Sequence, residues 1–219
     1  MTRWLARWLQ VLAWIVLWAA WSAAAHIGSA GLGTPGLNAA LAVAPLVLAV
    51  AVVLWQARRR WWSVPAAAAA VGVLVWLWPG VRHNVPLLYY LQHLGAHLAL
   101  AALFGRTLFG QREALITRLA RMGDGELSER KARYTRNVTI AWTVFFLANA
   151  LVSTLLYAFA PIAVWSVHAN VLTLPLVALM FGAEFAVRQF ALPAHERPGL
   201  AESIRAYRRA RSKARLGLS

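Results

Sequence analysis

The stretch VTIAWTVFFLANALVSTLLYAF, residues 138–159, is a continuous apolar run that decides how the rest of the chain is interpreted. A helix needs ~20 mainly apolar residues to cross ~30 Å of hydrocarbon, and this run is long enough. Backbone groups inside lipid have to be bonded within their own segment, so the run should be helical. It lacks the alternating segments of a membrane β-barrel. Residues 138–159 therefore predict a transmembrane helix.

Five further apolar runs have the same character. Length and hydropathy place them near residues 8–26, 37–55, 62–78, 87–105 and 167–187. The run 62–78 is the shortest, since three arginines precede it and a Pro-Gly pair follows it, so it spans only with little tilt or local bilayer thinning. The sequence thus predicts an all-α fold, a polytopic transmembrane helical bundle of about six spans within residues 1–193, followed by a basic tail, residues 194–219.

Composition agrees with the membrane class and removes some classes of function. Hydrophobic residues make up 61% of the 219 residues and charged residues only 13%, more apolar material than a soluble core could bury. Cysteine is absent, so disulfides and thiolate metal or redox sites are excluded. Many of the 12 tryptophans lie near the ends of apolar runs, where an indole ring suits the headgroup layer.

The arginines and lysines predict an orientation. Of the 22, only Arg82 lies in the loops 27–36, 79–86 and 160–166; the others lie at the two ends of the chain and in the remaining loops. By the positive-inside rule both ends face the cytoplasm, and we expect a multi-pass protein of a bacterial inner membrane. The net charge of +15 then marks orientation, and nucleic-acid binding is not expected because no nucleic-acid motif accompanies the charge.

The start of the chain allows a second interpretation. Arg3 and Arg7, an apolar stretch and the small residues 23–25 also fit a signal peptide with its cleavage site. Cleavage would leave five spans in the same orientation. The run through Trp21 is long and rich in tryptophan, which favours an uncut first helix.

The cytoplasmic loop 106–136 predicts an amphipathic helix in the headgroup layer. Its apolar face would hold Leu108, Phe109, Leu115, Ile116, Leu119 and Met122. Gly123-Asp124-Gly125 should end this helix. Arginines around its edges would contact anionic lipid of the inner leaflet, and the predicted lipid or partner surface includes Arg112, Arg118, Arg121 and Arg136.

Two further basic segments belong to the same predicted surface. The triplet Tyr134-Thr135-Arg136 is either a snorkelling anchor or a hold for a lipid phosphate or phosphopantetheine arm. Residues 200–215 predict a basic helix after Pro193 and Pro198. This helix either anchors the tail to the membrane surface or docks an acidic cytosolic partner, through Arg205, Arg208, Arg209 and Arg211.

The fourth span carries the densest set of polar residues. Tyr89, His93 and His97 are spaced to share one helical face, with Gln92 beside them. Two histidines one turn apart can ligate a metal or haem, which makes His93 and His97 candidate ligands and His97 a candidate catalytic residue. His26, His83 and His168 would lie near the outer ends of other spans. No carboxylate accompanies them, so a packing face or a quinone-like pocket is the alternative, and no cofactor is expected.

Glu184 is the acidic residue buried within a span. Arg188 follows it by four residues, which predicts an intrahelical ion pair. Proton relay or general acid–base catalysis is the alternative function of a desolvated carboxylate. Arg136, expected at the same depth, predicts a contact with Glu184 between helices.

A family resemblance covers roughly residues 87–193. The segments Ala114-Leu115-Ile116-Thr117-Arg118, Tyr134-Thr135-Arg136-Asn137-Val138-Thr139-Ile140-Ala141-Trp142, Trp165-Ser166 and Leu174-Pro175-Leu176 carry it. They resemble a family of small bacterial inner-membrane proteins encoded with aryl polyene or xanthomonadin-type pigment clusters. The resemblance implies participation in making, handing over or exporting a membrane-associated polyene lipid, with acyl carrier proteins among the neighbouring gene products.

These observations favour a non-enzymatic inner-membrane accessory protein of a lipid or aryl polyene pathway. Such a protein would anchor or present intermediates, or acidic partners such as an acyl carrier protein, at the cytoplasmic leaflet. No nucleophile elbow, acyltransferase motif or phosphate-binding glycine loop occurs in the sequence. A membrane enzyme or redox protein using His93 and His97 is one alternative, and a small lipid transporter component is another.

Overall fold

The computed structural model describes residues 2–32, 34–56, 60–193 and 196, and every regular element within these ranges is a helix. The elements are α1 (Thr2–Ser29), α2 (Pro35–Gln56), α3 (Arg60–His83), α4 (Val85–Gly105), α5 (Leu115–Asp124), α6 (Glu129–Phe159), α7 (Ile162–Ser166), a π-helical turn (Val167–Leu172) and α8 (Thr173–Ala191). The all-α prediction is confirmed for this part of the chain. The predicted tail helix, residues 200–215, lies outside the described residues.

Among the residues that the structure describes, five helical stretches have the length and composition to cross a membrane. They are Leu12–Ser29, Pro35–Val52, Val85–Gly105, Glu129–Phe159 and Ile162–Ala191, and each contains or overlaps a predicted span. The remaining predicted span, 62–78, falls within α3, where the apolar stretch Pro65–Gly80 is shorter. Two prolines, Pro65 and Pro79, lie inside this helix near the two ends of the apolar stretch.

The surfaces of these helices expose many large apolar side chains, which is unfavourable in water. Trp76, Phe159 and Phe190 are 79%, 84% and 87% exposed, and many leucines and valines are exposed with them. A soluble protein rarely leaves large contiguous apolar patches in water, whereas a lipid-facing helix gains from them. The length of the five stretches and their exposed apolar side chains place the chain in the class of membrane proteins.

The chain divides into two compact units. Unit 1 comprises the described residues of Met1–His93 and Ser153–Thr173. Its core consists of Ala25, Ala39, Ala42, Val85, Tyr89 and Trp165. Alanines at a helix crossing let two backbones approach closely, which is how helices pack in lipid. Trp165 is completely buried, and its indole Nε1–H donates to Ser153 Oγ at 2.9 Å.

A buried polar network links α1 to α7 and the π-helical turn within unit 1. His26 Nδ1 lies 2.7 Å from Ser166 Oγ, and Ser29 Oγ lies 2.6 Å from the same oxygen. Asn170 Nδ2 donates to Ser29 Oγ at 2.9 Å. Hydrogen bonds of this kind hold helices together where no water competes for the polar groups. The polar residues of unit 1 therefore fasten its helices to one another.

Unit 2 comprises the described residues of Leu94–Val152 and Leu174–Ser219. Its core is aromatic, with Trp142 and Phe146 at a centroid distance of 5.5 Å and Phe104 5.6 Å from Phe146. Val138 and Ala101 complete the buried cluster. Aromatic pairs at these separations contribute about 1 kcal/mol each beyond the area they bury.

The predicted amphipathic helix is shorter than its sequence pattern indicates. Residues 106–111 form turns and bends, residues 112–114 have no regular structure, Gly110 has a φ of 70°, and α5 begins only at Leu115. The prediction that Leu108 and Phe109 share the apolar face of this helix is therefore wrong; Phe109 is 75% exposed in the turn region. The predicted break is confirmed, because α5 ends at Asp124 and Gly125 follows with a φ of 77°, a conformation that favours glycine.

Candidate functional site

Two threonine hydroxyls hold the start of α5 in place within unit 2. Leu115 N–H donates to Thr107 Oγ1 at 2.9 Å, and Ile116 N–H donates to Thr139 Oγ1 on α6 at 3.2 Å. The first-turn amides of a helix have no partner within the helix, so these hydroxyls satisfy donors that would otherwise be lost. Because Thr139 belongs to α6, the second bond also ties α5 to its neighbour.

With its start fixed in this way, α5 covers a cavity of about 200 Å³. Apolar side chains from α5 form one part of the wall, and polar side chains from α6 and α8 form another. The lining residues include Ile116, Leu119, Ala120 and Met122 of α5, Lys131, Tyr134 and Thr135 of α6, and Glu184 and Arg188 of α8, together with Asp124 and Leu192. We call this space the α5 cavity.

The first ion pair of the α5 cavity joins Lys131 to Asp124. Lys131 Nζ lies 2.8 Å from Asp124 Oδ2, and the lysine side chain is only 9% exposed, against 30% for the aspartate. A cation buried to this extent requires a charged or hydrogen-bonded partner, since leaving water costs it several kcal/mol. The end of α5, where Asp124 is the last helical residue, therefore supplies this partner.

The second charged group is centred on Glu184. Arg188 Nε donates to Glu184 Oε1 at 3.0 Å, Arg188 Nη2 donates to Oε2 at 2.5 Å, and the Tyr134 hydroxyl donates to Oε1 at 2.8 Å. The predicted intrahelical pair of Glu184 and Arg188 is confirmed. The predicted contact between Glu184 and Arg136 is wrong, because Arg136 Nη2 donates instead to the Leu108 carbonyl at 3.3 Å.

The α5 cavity is amphiphilic. Its charges are matched in pairs, Lys131 with Asp124 and Arg188 with Glu184, so its lining carries no formal net charge. Hydroxyl and charged groups meet apolar side chains of α5 across the same space. This combination suits a ligand with a polar end and an apolar body, the usual pattern of small-molecule sites.

The two histidines of α4, His93 and His97, contact different residues. In unit 1, His93 Nε2 lies 3.0 Å from Thr173 Oγ1, and its ring is 5.7 Å from the ring of His168. In unit 2, His97 is buried beside Phe146 at a centroid distance of 6.1 Å.

His26 and His83 have different hydrogen-bond partners. His26 Nδ1 lies 2.7 Å from Ser166 Oγ, and His83 Nδ1 lies 2.6 Å from the Pro79 carbonyl oxygen. The described residues contain no group of three histidine or acidic side chains that could hold a metal ion.

The predicted surface arginines divide into two kinds. Arg121 pairs with Glu113 at 2.9 Å and Arg136 bonds to a carbonyl, whereas Arg112 and Arg118 are exposed and border a further cavity beside α5. Arg205, Arg208, Arg209 and Arg211 lie outside the described residues.

The sequence pattern does not single out two charged residues of the α5 cavity. Asp124 is predicted only as part of the Gly123-Asp124-Gly125 helix break, and Lys131 is not predicted as a site residue, although it shares a helical face with Tyr134 and Val138. That spacing was the available signal, since it extends the buried face of α6 by two turns ahead of the apolar run. Asp124 gives no comparable signal, because its pairing with Lys131 depends on the turn between α5 and α6.

No protein-family model, no curated protein and no solved structure matches the chain. The fold itself defines a helical membrane protein whose described residues include five stretches able to span a bilayer and an amphiphilic cavity beside α5.

Proposed function

We propose that this chain is a non-enzymatic, multi-pass protein of a bacterial inner membrane that holds a lipid-like intermediate in the α5 cavity and presents it at the cytoplasmic leaflet. The observation that carries the proposal is the composition of that cavity, in which the neutral pairs Lys131–Asp124 and Arg188–Glu184 face Leu119 and neighbouring apolar side chains. A carboxyl or hydroxyl group of the ligand would meet the polar wall, and its chain would lie against α5.

The distribution of basic residues supports the cytoplasmic placement. In our proposal α3 is the sixth span, both ends of the chain are cytoplasmic, and the region around α5 faces the cytosol with its arginines at the anionic leaflet. The basic tail would dock an acidic partner of the acyl-carrier-protein type. A polyene or related acyl lipid is the ligand class that the resemblance over residues 87–193 suggests.

The test fills the α5 cavity and measures binding of a conjugated polyene fatty acid. Ala120→Phe places an aromatic ring in the cavity, whereas Ala178→Phe makes the same change at an exposed alanine on α8 that does not line it. cis-Parinaric acid is titrated into the purified full chain in detergent, and energy transfer from the protein's tryptophans reports binding.

We expect Ala120→Phe to weaken binding at least about tenfold because the aromatic ring occupies the ligand's place. Ala178→Phe should bind like the unmodified chain. Equal affinities for the two variants and the unmodified chain would overturn the assignment of the α5 cavity as the ligand site.

A further inference from the structure

A second cavity of unit 2 lies beside the first turn of α5, where Leu115 and Arg118 face away from the α5 cavity. Its volume is about 370 Å³. Its lining residues are three arginines, Arg106, Arg112 and Arg118, together with Leu103, Thr107, Glu113 and Leu115. We call it the arginine cavity.

The charges of the arginine cavity are not matched. Within the described residues, Arg106, Arg112 and Arg118 make no side-chain hydrogen bond and no ion pair. Glu113 is the acidic residue of the lining, and it forms an ion pair with Arg121, with Oε1 and Nε 2.9 Å apart. Three like charges around one space repel one another, and an anion between them removes that repulsion. This is the opposite of the α5 cavity, where each cation has its own carboxylate.

We propose that the arginine cavity binds the phosphate of an anionic phospholipid headgroup. Guanidinium groups match phosphate oxygens with two parallel N–H donors, which makes arginine the preferred residue for this chemistry. A lipid rather than a free anion is favoured by Leu103 and Leu115, which line the same space, and by the position of Leu103 two residues before the end of the span Val85–Gly105. The headgroup phosphate meets the arginines while the glycerol and first methylenes contact the leucines.

The arginine cavity is independent of the proposed ligand in the α5 cavity, because the two share no lining residue. A failure of one assignment therefore leaves the other standing. The experiment uses the delipidated full chain in a neutral detergent. It compares phosphatidylglycerol with phosphatidylcholine of the same acyl chains, and it includes inorganic phosphate as a third probe. Native mass spectrometry counts the bound lipid and gives its apparent affinity.

The variant that tests the site is Arg112→Gln with Arg118→Gln. Arg112→Lys with Arg118→Lys keeps the charge, and Arg133→Gln removes one exposed arginine of α6 that does not line the cavity. We expect one tightly bound phosphatidylglycerol, and a loss of at least about tenfold in its affinity in the double glutamine variant. The double lysine variant should lose less, and Arg133→Gln should bind normally.

Three results would overturn this assignment. Equal affinity for the two lipids in the unmodified chain would remove the headgroup charge as the recognised feature. Unchanged phosphatidylglycerol binding in the double glutamine variant would place the lipid elsewhere. Displacement of the lipid by inorganic phosphate at low millimolar concentration would show a site for a free anion, without any contribution from the acyl chains.

Discussion

Removing Asp124 should destabilise the protein much more than removing the charge of its partner, Lys131. Asp124→Ala leaves the ammonium of Lys131 in a site where the side chain is 9% exposed. Stranding a buried charge costs about 3 to 5 kcal/mol. Asp124 also lies in the last turn of α5, where the interaction of its negative charge with the helix dipole costs about 0.5 kcal/mol. Asp124→Ala removes this unfavourable interaction. The expected net loss is about 3 kcal/mol.

The reverse substitution, Lys131→Met, should cost much less. Methionine keeps most of the apolar stem, and the Asp124 carboxylate left behind is 30% exposed, so water can solvate it. We expect a loss of about 1 kcal/mol. The double variant should be close to Lys131→Met alone, because with the ammonium gone Asp124 has no partner to lose, which gives a coupling energy of about 3 kcal/mol in magnitude.

The assay is equilibrium unfolding in mixed micelles with increasing SDS, followed by tryptophan fluorescence. Arg133→Met serves as the control, because Arg133 and Glu129 form a pair that is 73% and 92% exposed and should contribute less than about 0.5 kcal/mol. Equal losses for Asp124→Ala and Lys131→Met, or a larger loss for Lys131→Met, would refute the argument from burial.

Two further substitutions test the hydrogen bonds that fasten the helices. Thr107→Val removes the acceptor of the buried Leu115 amide while keeping the side-chain shape, so we expect a loss of about 1 to 2 kcal/mol in the same unfolding assay and earlier proteolysis between α4 and α6. Trp165→Phe deprives the buried Ser153 hydroxyl of its donor and leaves a small void, so it should cost about 2 kcal/mol, whereas Trp76→Phe, on an exposed side chain, should cost almost nothing.

The positions of the long helices could be predicted from the sequence because apolar length is a local property. The run 138–159 lies within α6, and the run 87–105 differs from α4 by two residues at its start. The first turns of α6 lie ahead of the predicted span, because residues 129–136 are rich in charge and hydropathy does not extend the span over them. Lys131 is buried there only because Asp124 of another helix meets it, and no local pattern encodes a contact across a turn.

Within the candidate site, an ion pair could be predicted from the sequence when both of its residues lie on the same helix. Glu184 and Arg188 are four residues apart on α8, and their pairing follows from helix geometry alone. The start of α5 was not predictable from its apolar pattern. That pattern continues back through Leu108, but the Thr107 hydroxyl and the turn at Gly110 set the first helical residue at Leu115. A side-chain acceptor in a preceding turn outweighs hydrophobic periodicity at this point.

The orientation of the helices is the central claim of the proposed function, and the absence of cysteine makes it directly measurable. A single cysteine at Phe109, which is 75% exposed, reports the α5 side, and one at Asn84, between α3 and α4, reports the opposite loop. With a membrane-impermeant maleimide on intact spheroplasts, we expect Asn84→Cys to be labelled and Phe109→Cys to react only after lysis. Labelling of Phe109→Cys in intact spheroplasts would contradict the account.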